Sequence, residues 1–410
     1  MKQSRATGAI RVMKFGGSSL SSAEHRAAAA RRVSEAMVAG DRPVVVVSAM
    51  GRRPQPYATD TLLDLAPGTA GPNLDLLAAS GEMVSAAVFA QTLENAGCAA
   101  RALTGWQAGI QTDAAHGEAR IVKVEPAAIH ALLDAGVTPV VCGFQGAAAD
   151  GTITTLGRGG SDLTAVALAK ALGGAALDIF TDVAGVMTAD PKRVSEASTI
   201  PALSFEEVTE LSEHGATVVH DKAADLARVA QLPYSVRDLR SGAGTSVGAD
   251  VAAHPRKPVT GVATDFGFTF MHLVPEAAVL PGGWEQDAFA ALADAKISID
   301  CVNVNSAGLF FIVRDPEFTR AQSRLERLPL AIRTRRDCAK ISVVGAGMRG
   351  TPGVMYRCVR ALREAGVPII HSTDSNITIS LLVPASQAGA AENALHRHFE
   401  LARHDDRKNL

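Results

Sequence analysis

"TLGRGGSDLTAVALAKAL", residues 155–172, decides how the chain is read. Three glycines surround one arginine, a serine and an aspartate follow, and an apolar, alanine-rich run then continues for the length of a helix. Each glycine gives up backbone stiffness, so a cluster of them marks a main chain that bends tightly or approaches something closely. Ser161 or Asp162 could simply cap the helix that follows. A cap does not account for Arg158, whose planar guanidinium in a glycine turn is suited to bidentate capture of a carboxylate or phosphate. A ligand with several oxygens is the candidate occupant.

The same grammar recurs upstream. "VMKFGGSSLSSAEHRAAAARRV" (12–33) sets Lys14 at the end of a strand, followed by Gly16, Gly17 and Ser18 opening a helix. Backbone N–H groups at such a turn, with a lysine beside them, make an anion site; a tight turn with serine capping is the alternative. It is not a Walker A loop, because no GxxxxGK[ST] occurs. "IFTDVAGVMTADPKRV" (179–194) leaves a strand through Thr181 and Asp182 and reaches a turn at Asp190 and Pro191. Strand ends of open α/β sheets are where ligands bind, and this loop could hold a base and ribose, although Asp-Pro alone is only turn chemistry. "LLAASGEMVSAAVF" (76–89) reads as a helix beginning near Ser80, Gly81 and Glu82. There Glu82 either complements the helix dipole or, if buried, holds a substrate ammonium group.

Outward from these turns the first 250 residues alternate apolar runs with amphipathic stretches. "RVMKF", "PVVVVSAM", "TPVVCGFQG" and "LDIFTDV" read as buried strands, and 22–39, 83–96, 126–135 and 162–173 as helices. Alternation of this kind implies an α/β layered domain with a mainly parallel sheet, its strands covered on both faces. "GADVAAHPRKPVTG" (248–261) reads as a linker. Beyond it "DAFAALADAKISIDCVNVNSAGLFFIV" (287–313) is matched by "MYRCVRALREAGVPIIHSTDSNITISLLV" (355–383), a helix, a turn and two short strands in each copy. A further helix follows each, near 316–327 and 386–400, so two duplicated α/β units stand in tandem.

Composition sets outer limits. At 410 residues two or three domains are expected. Lys and Arg (40) nearly balance Asp and Glu (42), so charge points to neither a nucleic-acid partner nor an anionic membrane. No apolar run is read as reaching the roughly 18 to 20 residues that span a bilayer, and the first residues lack a secretory h-region, so a cytoplasmic protein is expected. Five separated cysteines without a CxxC pair read as small buried apolar residues. The histidines show no metal-ligand spacing, and no metal site is assigned.

"KFGGSS", "VVVVSAMG", "SGE", "TTLGRGGSD", "FTDVAGVMTADP" and "KISVVGAGMRGTPGV" occur in the order found in aspartate kinases, which the chain resembles over nearly its full length. The segment "SAMGRRPQPYATDTLLDL" (48–65) looks most like the diaminopimelate-sensitive isoenzymes of spore-forming bacteria. The resemblance implies an amino-acid-kinase-type layered domain (1–250), a linker (251–261) and two ferredoxin-like ACT domains (262–335 and 336–410). It implies transfer of the ATP γ-phosphoryl group, with Mg2+, to the side-chain carboxylate of L-aspartate, at the head of lysine, threonine and methionine synthesis. By analogy Lys14 and the Gly16, Gly17, Ser18 turn contact the phosphates, and Asp162 orders the glycine loops and catalytic charges. Arg158 and Ser161 bind aspartate, Glu82 takes its ammonium group, and Ser48 and Thr59 lie near the reacting carboxylate. Thr181, Asp182, Met187, Asp190 and Lys192 line the nucleotide site. Asp300 lies near the amino group of an effector amino acid bound at the ACT domains, or is a turn residue, and paired ACT units imply a homo-oligomer.

Two departures stand out. Relatives carry a lysine in a "GAKV" or "GSKI" segment that reaches the nucleotide phosphates, whereas "EHGATVVHDKAADLA" (213–227) has Thr217 there. A neutral hydroxyl does not replace an ammonium group, and one lost preorganised donor costs roughly 100- to 1000-fold in rate. Lys222 or Lys192 would have to compensate, with Asp221 as N-cap of the following helix. Otherwise the chain is a diverged kinase of another small carboxylate or a nearly inactive binding homologue. The second departure is "MHLVPEAAVLPGGWEQDAFA" (271–290), which replaces the usual Asp-x-Pro-Gly turn before the first ACT helix and implies changed feedback.

Overall fold

The computed structural model describes residues 8–215, 219–249, 258–276 and 283–402. Thr217, most of the 251–261 linker and residues 277–282 fall outside them. The chain divides into two compact units, one within Met1–Val186, Thr199–Ser212 and Thr217–Ala252, the other within Met187–Ser198, Glu213–Ala216 and Ala253–Leu410.

The first unit begins with β1 (Ile10–Phe15), α1 (Gly17–Leu20), α2 (Ala23–Val38), β2 (Arg42–Val47), α3 (Thr59–Leu63), α4 (Pro72–Asn95), β3 (Ala100–Leu103), β4 (Ile110–Thr112), β5 (Ile121–Val124) and α5 (Ala127–Asp134). It continues through β6 (Thr138–Cys142), β7 (Gln145–Ala147), β8 (Ile153–Thr155), α6 (Gly160–Ala171), β9 (Ala176–Thr181), β10 (Ala202–Leu203), α7 (Phe205–Glu213), α8 (Asp221–Ala230), β11 (Tyr234–Asp238) and β12 (Gly244–Val247). Eight strands form the main sheet in the order β10-β12-β11-β9-β1-β2-β6-β3, and every pairing is parallel except β11 with β12. A smaller sheet runs β5-β4-β7-β8. Val12, Met13, Phe15 and Val44 to Val47 are buried, as expected for parallel strands covered on both faces. The register pairs Phe15 with both Val47 and Phe180, so β1, β2 and β9 end together and deliver Gly16, Ser48 and Thr181 to one edge of the sheet.

Three expectations for this unit change. "TPVVCGFQG" splits into β6 and β7, because Phe144 takes a left-handed φ of 67° and the chain crosses there from the large sheet to the small one. The helix expected at 83–96 starts at Pro72, which puts Gly81 and Glu82 in mid-helix and removes the dipole role for Glu82. Gly81 is there for space: a Cβ would lie 2.9 Å from both the Ala49 Cβ and the Tyr57 carbonyl oxygen. Third, the 24-residue α4 is long and apolar enough by length and composition to cross a bilayer, contrary to the reading of the bare sequence. It is a core helix: Phe89 and Leu93 join the main apolar cluster, Asp75 and Glu82 are buried, and it packs on β3, β6 and β8.

The second unit contains β13 (Gly261–Pro275), α9 (Trp284–Asp294), β14 (Asp300–Asn305), β15 (Gly308–Arg314), α10 (Asp315–Leu325), β16 (Leu330–Val344), α11 (Val354–Glu364), β17 (His371–Asp374), β18 (Thr378–Pro384) and α12 (Ala388–His398). The two repeats share one antiparallel sheet, ordered β14-β15-β13-β16-β18-β17. β13 and β16 run through both halves, and residue 335 lies inside β16. The β13 register shifts on either side of Phe268, next to Gly267 at φ 83°, a bulge where the sheet passes from one repeat to the other. Each half has its own core, α9 and α10 covering one and α11 and α12 the other. All five cysteines are free and buried.

Candidate active site

A cavity of about 880 Å3 in the first unit gathers Lys14, Gly17, Ser48, Thr59, Glu82, Arg158, Ser161 and Asp162. These residues come from the ends of β1 and β2, the starts of α1, α3 and α6, and the middle of α4. Parallel strands ending in register place the first two groups side by side, and the helices that follow turn their first residues toward the same edge.

Lys14 and Asp162 form an ion pair of 2.6 Å on the cavity floor, both nearly buried. Asp162 is not the cap of α6: the capping position is Gly159, and Ser161 and Asp162 belong to the first helical turn, where Asp162 faces the lysine. Gly157 and Gly159 are left-handed, at φ 74° and 71°, on either side of Arg158. Their missing side chains admit protein groups rather than a ligand, because a Cβ would meet Glu118 Oε1 at 2.7 Å and His220 Cγ at 2.0 Å respectively. The turn is thus clamped from both sides, and Arg158 is left exposed on the cavity wall, without an ion pair among the described residues.

Glu82 is 2 % exposed. One carboxylate oxygen accepts the Ala49 N–H at 2.9 Å, and the other is buried without a hydrogen-bond partner among the described residues. Burial pushes this carboxyl up to about 8, against the lowering effect of the Ala49 hydrogen bond. A cation brought into the cavity would satisfy the second oxygen and restore the ionised form.

The remaining candidates lie elsewhere. Gly16 and Ser18 flank Gly17; α1 is a single turn whose first amides have no intrahelical acceptor, and Ser22 caps α2 by accepting the His25 N–H at 3.1 Å. Thr181 and Asp182 stand at the end of β9, linked by a 3.1 Å side-chain hydrogen bond, outside the cavity. Met187, Asp190 and Lys192 belong to the second unit. There the Lys192 N–H donates to Asp190 Oδ1 at 2.9 Å, and Arg193 joins Asp190 (2.8 Å) to the fully buried Glu392 of α12 (2.6 Å). The N-cap of α8 is His220; Asp221, expected in that role, is the first helical residue and pairs with His220. Lys222 pairs with Glu118 at 2.5 Å, an exposed ion pair. Asp300 opens strand β14 instead of occupying a turn, and its carboxylate meets the buried ammonium group of Lys340. Burial alone would raise its pKa, but the hydrogen bond and charge of Lys340 prevail and hold it below the usual carboxylate range.

Asp75 and Glu118 also line the cavity, and His116 supports it through Asp75; none of the three was singled out from sequence. The signal for Asp75 was present: an acid seven residues before Glu82 lies on the same helical face, but that relation is visible only once the helix is known to start at Pro72.

Residues 9–238 match the Amino acid kinase family and residues 341–399 an ACT domain. Aspartokinase 1 of Bacillus subtilis (strain 168) is 39% identical over 407 residues, covering 96% of this chain and all (100%) of the relative, and the aspartokinase of Geobacillus stearothermophilus is 38% identical, covering 96% and 98%. The crystal structure of E. coli aspartokinase III in complex with aspartate and ADP superposes with a TM-score of 0.76 at 24% identity, covering 95% of this chain and 99% of that one, a likeness of fold. With end-to-end identity of this extent, and a parallel-sheet unit followed by paired ACT repeats, the chain belongs to the aspartokinase family.

Proposed function

We propose that the 880 Å3 cavity is where L-aspartate meets the γ-phosphoryl group of ATP, giving L-aspartyl 4-phosphate and ADP. One observation carries this: a buried carboxyl with an oxygen unsatisfied among the described residues (Glu82) and a guanidinium without an ion pair among them (Arg158) share one cavity, a pattern complementary to an amino acid's ammonium and carboxylate. Glu82 takes the ammonium group, Arg158 and Ser161 the α-carboxylate, and Ser48 and Thr59 orient the side-chain carboxylate. An oxygen of that carboxylate attacks γ-phosphorus, and the bond to the bridging oxygen breaks with its electron pair leaving on ADP. The nucleophile is already ionised at neutral pH, so no general base is required; positioning and positive charge are. Lys14 supplies that charge, Asp162 holds its ammonium group in place, and the Gly16, Gly17, Ser18 turn contacts the phosphates. Thr181 and Asp182 take the rest of the nucleotide. Mg2+ would enter with the nucleotide and offset phosphate charge there, since this ion is commonly bound through one or two carboxylates plus phosphate oxygens.

The extent of identity to aspartokinases favours aspartate over another small carboxylate and over an idle binding homologue. The enzyme works in the cytoplasm as a homo-oligomer, and an amino-acid effector at the ACT sheet competes with Lys340 for Asp300. The test is turnover: ADP should form from MgATP only when L-aspartate is present, and hydroxylamine should trap the acyl phosphate as a hydroxamate. Absence of aspartate-dependent turnover across a broad pH and magnesium range overturns the proposal.

A further inference from the structure

Asp75 is a carboxylate for which the reaction has no use, yet it is 2 % exposed and richly hydrogen-bonded. Its Oδ1 accepts the Thr155 hydroxyl at 2.6 Å and the Gly117 N–H at 3.0 Å. Its Oδ2 meets His116 Nδ1 at 2.7 Å and accepts the Thr155 N–H at 3.2 Å. Burying an acid is costly unless hydrogen bonds compensate, and these donors come from two separate connections rather than from Asp75's own helix. Thr155 is the last residue of β8 and leads through Leu156 into the Gly157–Arg158 turn. Gly117 leads into Glu118, which packs against Gly157 and pairs with Lys222. A backbone hydrogen bond from Ala119 N–H to the Thr155 carbonyl, 2.8 Å, ties the two connections to each other. On the same face of α4, seven residues and about 10 Å further along the axis, stands Glu82.

We propose that Asp75 is a positioning residue for the amino-acid substrate: one rigid helix carries both the ammonium acceptor Glu82 and the anchor that fixes the Arg158 turn. The distance between the ammonium and α-carboxylate subsites is thereby set by α4 rather than by two independent loops. This rests on the reading of the cavity as the aspartate site.

The experiment compares Asp75→Asn, Thr155→Val and Thr155→Ser with Arg158→Ala in the full-length enzyme, measuring KM for aspartate, KM for ATP, kcat and Tm. A hydrogen bond to a charged group is worth enough that losing one should shift binding by about tenfold or more. Thr155→Val and Asp75→Asn should each raise KM for aspartate about tenfold or more, with KM for ATP within about twofold. Thr155→Ser, which keeps the hydroxyl, should restore the parental value. If Asp75→Asn does not fold, Thr155→Val against Thr155→Ser carries the comparison. Unchanged aspartate KM in Thr155→Val, or both KM values rising in parallel with a lowered Tm, overturns the inference while Arg158→Ala still raises aspartate KM. If Arg158→Ala leaves aspartate KM unchanged as well, the aspartate-site reading falls and takes the inference with it.

Discussion

Glu82 should make aspartate binding a proton-releasing event. In the free enzyme burial holds its carboxyl at about 8, so at pH 7 it is about nine-tenths protonated. An ammonium group against the unsatisfied oxygen favours the ionised form and returns the pKa toward the ordinary carboxylate range. Binding at pH 7 should therefore release about 0.9 proton, falling to about 0.1 at pH 9. The apparent affinity should be about tenfold weaker at pH 7, and about a hundredfold weaker at pH 6, than its alkaline plateau, or about 1.4 kcal/mol per pH unit below 8. Calorimetry of aspartate binding in buffers of different ionisation enthalpy gives the proton count as a slope. The same shift has a consequence for stability. A carboxyl whose folded pKa lies above its unfolded value binds more protons folded than unfolded between the two, so stability falls as pH rises from about 4.5 to about 8. Glu82→Gln removes that loss, and its melting temperature relative to the parent should climb across this window while aspartate binding is lost. A buffer-independent enthalpy at pH 7, or a parallel pH dependence of the two melting curves, refutes the reasoning.

Three further outcomes are expected. Thr217→Lys should raise kcat, by up to about 100-fold if the missing ammonium limits phosphoryl transfer; an unchanged or lower rate in steady-state assays shows that another cation already fills that role. Gly81→Ala should destabilise the protein by about 1–3 kcal/mol in denaturant titrations, despite alanine's better helix propensity, because its Cβ is driven into Ala49 and the Tyr57 carbonyl; neutrality would mean that the loop between β2 and α3 yields freely. Lys340→Met should free Asp300 and strengthen inhibition by an amino-acid effector, read from titrations with lysine, threonine and diaminopimelate; inhibition unchanged for all three removes Asp300 from the effector site.

Much of the site was legible along the chain because each piece is a strand end followed by a turn and a helix start. Lys14, Arg158, Ser161 and Asp162 are such pieces, whereas Ser48 entered only through the family resemblance, and the fold brings them all to one cavity. Glu82 was legible as a residue and misread as a position. A glycine beside it lowers helix propensity and mimics a helix start, and the compensating fact, the close approach of Ala49 and Tyr57, lies in chain far from it in sequence. Gly157 and Gly159 were likewise singled out for close approach, and the groups that approach them are Glu118 and His220, each contributed by a distant segment.

The sequence by itself determined the layered α/β class, the duplicated C-terminal repeats and the chemical types assembled for the site, because periodicity, glycine turns and charge are local properties of a chain. Only the tertiary structure decided what surrounds each acid. Asp162 lies against Lys14, Asp300 against Lys340 and Asp75 among hydrogen-bond donors, while Glu82 accepts one amide and has no partner for its second oxygen among the described residues. Glu82 is pushed above and Asp300 held below the usual carboxylate range by what surrounds them, since desolvation and neighbouring charge act through space and not along the backbone.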